Sequence, residues 1–294
     1  MGRNMEIGTS VVRRWQLAAS LKALREGADL TQEAAIERLE PLPGRWSRSK
    51  LSRIENREHN IKPREVEQLL DVYGVTDTRL RDGLVALAAS SSERGWWISF
   101  VDALPRDIQP LLSIEDSLVE LWSFQPQLVN GLLQTAEYAR AVMLAAAPGE
   151  CSPEELERKV AARMIRQHVL QRQPAPKAHF IYDEAVLDHV IGDEEVMRGQ
   201  LRKLLSVAES PNISIQVLRR DVGGSPGLEG PFSILTLPAP MPDIGYTEGP
   251  AGMFYIEDRE HVRAWTLRFG ILTELALSRA ESRDLIAEAA KLYA

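Results

Sequence analysis

The sequence predicts a multi-domain chain, with an all-α helix-turn-helix domain over residues 8–90 followed by a larger α+β domain over residues 95–294. Three observations carry this expectation. Apolar residues recur at helical spacing through the first part, in short segments separated by Gly, Pro and Ser. Basic residues gather in one window of an otherwise acidic chain. Further along, helical periodicity yields to alternating strand patterns from Ala178 before helices return at the end.

In the first part Leu17, Leu21 and Leu24 share a helix face, and Gly27 is the expected left-handed stop. A second helix follows Asp29 and Thr31, either of which can accept a backbone N–H as N-cap, and it turns Ala35 and Leu39 inward. Glu40 to Trp46 contains Pro41, Pro43 and Gly44 and is a loop. Ser47 caps a third helix with Leu51 and Ile54 on its inner face and Arg48, Ser49, Lys50, Ser52 and Arg53 left outside. Pro63 suits the first turn of a fourth helix striped by Val66, Leu69, Leu70 and Tyr73. Arg79 to Ala89 forms one more, and Ser90 to Ser92 reads as a linker.

Beyond it, helices are expected over Ile114–Leu121, Leu132–Leu144, Pro153–Gln171 and Glu194–Ala208, and again at the C-terminus, where Val262, Trp265, Phe269 and Leu272 share a face and a last helix covers Glu281–Leu292. Strands are expected over Ala178–Tyr182, Ile213–Leu218, Phe232–Leu237 and Gly252–Ile256; Ile213, Ile215 and Val217 alternate with Ser214 and Gln216 as a half-buried strand does. Trp96 and Trp97 suit packing between domains.

Composition narrows the class. With 44% hydrophobic and 26% charged residues and no apolar run longer than Ala141–Ala147, nothing has the length of a membrane span. Arg3 and Glu6 stand where a signal peptide needs an apolar core, and Cys151 is the single cysteine; both favour a cytoplasmic protein. His59, His168, His179, His189 and His261 are dispersed without metal-ligand spacing, so no metal or other cofactor is expected.

The charge distribution points to nucleic acid. Between Arg38 and Arg64 eight Lys and Arg face three Glu, a net of +5, which leaves −12 for the rest of a chain whose total is −7. A local basic surface on an acidic body suits a DNA-reading head joined to a domain that does not touch DNA. A recognition helix lies in the major groove and needs polar side chains near its N-terminus, which Ser47 to Asn56 supplies. Arg48 and Lys50 can donate to guanine O6 and N7, each good two-point contact discriminating by roughly 1–3 kcal/mol. Gln32, Ser49 and Arg53 add base or phosphate contacts, and Thr31, Asn60 and Lys62 lie near helix starts, where backbone N–H groups favour phosphate.

These residues also carry a resemblance. Leu30-Thr31-Gln32, the run Ser47 to Asn56, Pro63 and Leu69 to Val75 resemble the Cro/repressor-type (xenobiotic-response-element, XRE) helix-turn-helix. The resemblance implies that Gln32, Arg48, Ser49, Lys50 and Arg53 face DNA. The chain departs from that pattern by extra residues within Glu40–Arg45, which bring Arg45 toward phosphate, and by Arg57 in place of the usual glycine. Gln125 to Val129, Gly131 to Thr135, Asp183 to Leu187, Pro211 to Ile213, Pro226 to Phe232 and Phe254 to Asp258 resemble the C-terminal domain of WhiJ-related actinobacterial regulators. That resemblance implies an antitoxin-like transcription regulator with a small partner protein encoded nearby.

Carboxylates at Asp183–Glu184, Asp193–Glu195 and Glu257–Asp258 fit helix caps and strand ends better than acid–base chemistry, and Gly223 to Gly227 lacks the Gly-Lys-Ser/Thr end of a phosphate loop. No enzyme is expected. Loops at Gly223–Gly227 and Pro238–Pro242 are candidate contact surfaces. The expected function is sequence-specific binding of double-stranded DNA as a homodimer, with no membrane association and with a small partner protein acting on the C-terminal domain. A toxin-neutralising antitoxin and a small-molecule-responsive regulator are the alternatives. The expected DNA-binding residues are Thr31, Gln32, Arg45, Ser47, Arg48, Ser49, Lys50, Arg53 and Lys62.

Overall fold

The computed structural model describes residues 10–56, 58–90, 108–146, 152–238, 241–249 and 252–293. The chain divides into two compact units, Met1–Ile98 and Ser99–Ala294. Arg57, Ser91 and Ser92 of the linker, Trp96, Trp97, Cys151 and part of the Pro238–Pro242 loop lie outside the described residues.

The first unit is helical: α1 (Ser10–Gly27), α2 (Gln32–Leu39), α3 (Arg48–Glu55), α4 (Pro63–Val72) and α5 (Thr78–Ser90). Leu17, Leu21, Ala35, Leu39, Leu51, Ile54, Leu69, Leu70, Leu84 and Ala88 form one buried cluster, so each helix contributes the stripe its sequence spacing sets up. The left-handed position after α1 is Asp29 (φ 54), not Gly27. Asp29 N–H donates to Glu26 O at 3.0 Å and Leu30 N–H to Arg25 O at 3.1 Å, the Schellman pairing, which sets the reversal two residues later than the glycine suggests. Aspartate tolerates this backbone better than most side chains.

The second unit is α+β. Six strands, β1 (Glu120–Gln125), β2 (Lys177–Asp183), β3 (Ile213–Leu218), β4 (Phe232–Thr236), β5 (Ile244–Gly249) and β6 (Gly252–Ile256), form one sheet in the order β3-β2-β1-β4-β5-β6. The β3-β2-β1 half is parallel and the rest antiparallel. Parallel neighbours need long crossovers, which the helices supply. Between β1 and β2 run α7 (Ala136–Ala146) and α8 (Pro153–Arg166); between β2 and β3 run α9 (Ala185–Asp188) and α10 (Glu194–Val207). The unit opens with α6 (Ile108–Asp116) and closes with α11 (Arg259–Leu275) and α12 (Arg279–Leu292).

Several sequence expectations are corrected here. The helix read over Ile114–Leu121 ends at Asp116, and β1 takes over as the central strand, its Trp122 and Phe124 pairing with β2 on one side and β4 on the other. The helix read from Leu132 is a short 3-10 turn, Gly131–Leu133, capped by Asn130, with α7 beginning at Ala136. The segment Pro153–Gln171 is α8 to Arg166 and then a 3-10 turn. β5 was not foreseen: Gly245 and the exposed Glu248 and Gly249 hide its alternation, and Gly245 is required where Trp265 covers the strand, a Cβ there lying 3.0 Å from the indole. β3 is buried at all six positions rather than on one face. Its polar Gln216 is satisfied by the α11–α12 junction, its amide donating to Leu277 O at 2.8 Å and its oxygen meeting His179 Nε2 at 2.6 Å.

Candidate functional site

Helices α2 and α3 with the loop between them form the helix-turn-helix. Thr31 is the N-cap of α2, its Oγ1 accepting Ala34 N–H at 3.1 Å, and Ser47 is the N-cap of α3, its Oγ accepting Lys50 N–H at 3.2 Å. Both hydroxyls shape the helix starts, while the free N–H groups of the first turns remain for an anion. Leu51 and Ile54 anchor α3 inward. Arg48, Ser49 and Arg53 are exposed on its outer face.

The extra residues between α2 and α3 are tied down from α4. Trp46 Nε1 donates to Gln68 Oε1 at 3.1 Å, and Gln68 Nε2 donates to Pro43 O at 2.8 Å. Lys50 Nζ donates to Glu65 Oε1 at 2.5 Å and sits 4.5 Å from the Trp46 ring centroid, a cation–π contact. Burial works against the Glu65 carboxylate, but the Lys50 ammonium and the Lys62 N–H, which donates to Glu65 Oε2 at 2.9 Å, hold it below the usual carboxylate range. A loop with two prolines is thereby bound at Pro43 and Trp46 and gives α3 a fixed angle.

A second brace runs through the far end of α3. Glu55 accepts Arg25 Nε at 2.7 Å and Arg25 Nη2 at 3.0 Å, and its Oε2 accepts Gln32 Nε2 at 2.8 Å. Arg25 also donates to Leu30 O at 2.6 Å. α1, α2 and α3 therefore meet at one buried carboxylate. The hydrogen bond to Glu55 raises the Arg25 guanidinium further above its ordinary value despite its burial.

Of the nine residues expected to bind DNA, Thr31, Arg45, Ser47, Arg48, Ser49, Arg53 and Lys62 are exposed, and Gln32 and Lys50 are half-buried. Arg48 forms an ion pair with Glu33 at 2.8 Å across α2 and α3, in the open at 70% and 53% side-chain exposure, and such a pair exchanges readily for phosphate or base. Arg53 lies 3.8 Å from Glu58. Lys50 is committed to Glu65 and Trp46, and Gln32 to Glu55, so both brace α3 as placed. Gln68, Trp46, Glu65 and Arg25 are the positioning residues that sequence reasoning missed. Each pairs across 15 to 30 positions, beyond any local spacing rule.

In the second unit the carboxylate clusters act as caps and supports. Asp193 accepts Val196 N–H at 2.9 Å to cap α10, Asp258 accepts His261 N–H at 2.9 Å to cap α11, and Glu184 accepts Arg220 N–H at 3.0 Å. Among the described residues no group of three His, Cys, Asp or Glu is placed to hold a metal, and no helix is long and apolar enough to cross a membrane.

Comparison with known proteins bears on both units. Residues 16–83 match a family described as a helix-turn-helix domain, which marks a DNA-binding regulator. Neither matching description names a catalytic activity. No curated protein matches the chain, and no solved structure does. Residues 108–288 match the family described as Domain of unknown function (DUF5753), and because that match spans more than half of the 294 residues, the chain belongs to the DUF5753 family.

Proposed function

We propose that the chain is a sequence-specific transcription regulator of the XRE type, reading DNA with residues 8–90 and receiving its signal through residues 95–294. The observation that carries this reading is the exposed outer face of α3, where Arg48, Ser49 and Arg53 stand clear of the core beside the capped starts of α2 and α3. Arg48 and Arg53 have the reach and donor geometry for guanine edges or phosphates. Arg45, in the long turn, and Lys62, at the start of α4, add phosphate contacts that fix register. Two copies reading a palindrome place half-sites about 10 bp or a multiple apart.

The WhiJ-like sequence pattern supports a small partner protein, encoded nearby, as the modulator of DNA binding. A row of exposed apolar side chains on α11, Leu267 (63%), Ile271 (47%) and Leu275 (40%), supports protein contact in the second unit. Antitoxin-like regulation in the cytoplasm is the setting this reading takes.

Fluorescence anisotropy tests it, using duplex DNA from the gene's own upstream region against a scrambled duplex. The wild-type chain is expected to prefer the first, and the Arg48→Ala, Arg53→Ala variant to lose that preference. Equal binding of both duplexes by the wild type overturns the reading. Co-purification with the adjacent small gene product, lost on Leu267→Asp, tests the partner.

A further inference from the structure

The second unit contains a cavity of about 550 Å³ between α8, β5 and the segment after β1. Arg163 and Arg166 line it from α8, Tyr246, Thr247 and Glu248 from β5. A smaller cavity of about 170 Å³ adjoins it, sharing Arg163, Arg166 and Glu248 and adding Lys159. Lys159, Arg163 and Arg166 stand at i, i+4 and i+7, so one face of α8 turns three cations toward this space.

The charges facing it do not cancel. Glu115 of α6, buried at 4% exposure, is consumed by Arg166: Arg166 Nε lies 2.6 Å from Glu115 Oε2, and its Nη2 donates to Oε1 at 2.9 Å. Glu248 is exposed at the edge and accepts the Tyr246 hydroxyl at 3.0 Å. Three cations thus face two carboxylates. Arg163 lines both cavities without a paired carboxylate: its Nη1 donates to Gln134 Oε1 at 2.8 Å, and among the described residues no carboxylate lies within ion-pair distance of it, Glu248 and Glu115 acting on it only from further off. A guanidinium has five N–H donors, so the fork that lines both cavities keeps donors beyond the one bond to Gln134. Its burial, and then the neighbouring Arg166, lower Arg163 to about 10 against the opposing pull of Glu248 and Glu115, the direction expected of a cation short of negative charge.

Access is kept open by Gly131. A Cβ there would lie 3.5 Å from Arg166 Nη2 and 3.7 Å from Arg163 Nε, so any long side chain would cover both guanidinium groups. Leu128, Val142, Pro231 and Phe232 supply an apolar lining away from the arginines. A concave space of this size, mostly built before ligand arrives and with a few convergent polar groups, is the form of a small-molecule site.

We propose that this cavity binds a small anionic molecule, a carboxylate or phosphate on a compact apolar body, through a two-point bond to Arg163 with Arg166 as the second cation. The proposal concerns the second unit alone, and its experiment contains no DNA, so it stands or falls separately from the DNA-binding reading.

Titration calorimetry of the full chain with phenylacetate, phenyl phosphate and the neutral phenylacetamide tests it. The two anions are expected to bind, and the amide to bind at least about tenfold more weakly. Arg163→Gln is expected to weaken the anions by about tenfold or more. Glu248→Gln is expected to tighten them by about threefold, because it removes a repelling charge at the edge. A gain of affinity cannot come from misfolding, so this second variant keeps the test decisive if Arg163→Gln is unstable. Equal binding of amide and anions, no heat from any probe, or Glu248→Gln without tightening overturns the proposal. So does binding of an acetylated tripeptide with a free C-terminal carboxylate where phenylacetate and phenyl phosphate fail, which would assign the arginines to a protein terminus.

Discussion

Arg25 near the end of α1 and Glu55 at the end of α3 form a two-point buried bond, Nε to Oε1 at 2.7 Å and Nη2 to Oε2 at 3.0 Å. Glutamate at a helix C-terminus opposes the helix dipole, and burying it adds a desolvation cost. Arg25 offsets both, and the side-chain amide of Gln32 occupies a further site on the carboxylate. A pair of this kind does little for stability compared with an apolar substitute, but it specifies one angle among α1, α2 and α3. In the proposed DNA-binding reading, that angle decides which side chains of α3 reach a groove.

Removing one partner leaves the other charge buried and alone. Glu55→Ala is expected to destabilise the first unit by about 3–5 kcal/mol, and Arg25→Met with Glu55→Met to recover most of that. Hydrogen exchange at the Leu51 and Ile54 amides checks it: protection falls in the single variant and returns in the double one. A double variant as unprotected as the single one would contradict the account.

Lys50 and Arg48 are two positions apart on α3 and are expected to differ in kind. Arg48→Ala, which removes an exposed cation, is expected to lower the salt dependence of operator binding by about one unit of slope if it meets a phosphate, or to relax preference at one base if it meets guanine. Lys50→Ala, which unpins Glu65 and Trp46, is expected to weaken binding with little change of slope. Anisotropy titrations across a salt series separate the two.

Glu65 makes the brace sensitive to acid. Although burial opposes ionisation, its bonds to Lys50 and to the Lys62 N–H leave its folded value below the ordinary 4.5. A depressed folded value contributes stability that is complete above the unfolded value and is lost as pH falls through the folded one. The wild-type first unit is therefore expected to lose stability below about pH 4.5, and Lys50→Met to show a shallower loss over the same range. Urea midpoints measured down the pH series, read by hydrogen exchange in α3 and α4, report the difference.

Gly227 marks a close approach in the second unit. A Cβ at this position would lie 2.5 Å from Phe124 Cζ, and Phe124 is fully buried on the central strand. Gly227→Ala is expected to destabilise the unit by about 1–3 kcal/mol, with Phe124→Leu relieving part of the overlap. Differential scanning calorimetry of the single and paired variants measures it.

Much of the reading head was legible because its signals are local. Thr31 and Ser47 cap helices that begin one residue later, Pro63 opens α4, and the stripe of Val66, Leu69, Leu70 and Tyr73 is buried as its spacing implies. Strands β2, β3, β4 and β6 announced themselves by β-branched and aromatic alternation. The central β1 did not, because Leu121 to Phe124 continues an apolar pattern that reads equally well as the tail of α6.

By itself the sequence determined the helices of the first unit, strands β2, β3, β4 and β6, the two-part organisation of the charge, and the polar outer face of α3, since capping, periodicity and net charge act over a few residues or need no partner. Tertiary structure alone decided that Lys50 and Gln32 brace while Arg48 and Arg53 stay exposed in loose surface pairs, that the long turn is bound to α4 through Gln68, and that among the described residues no carboxylate pairs with Arg163. Each of these depends on which distant side chain arrives beside it, and a pairing across 15 to 30 residues, or the absence of one in a cavity, leaves no periodic trace along the chain.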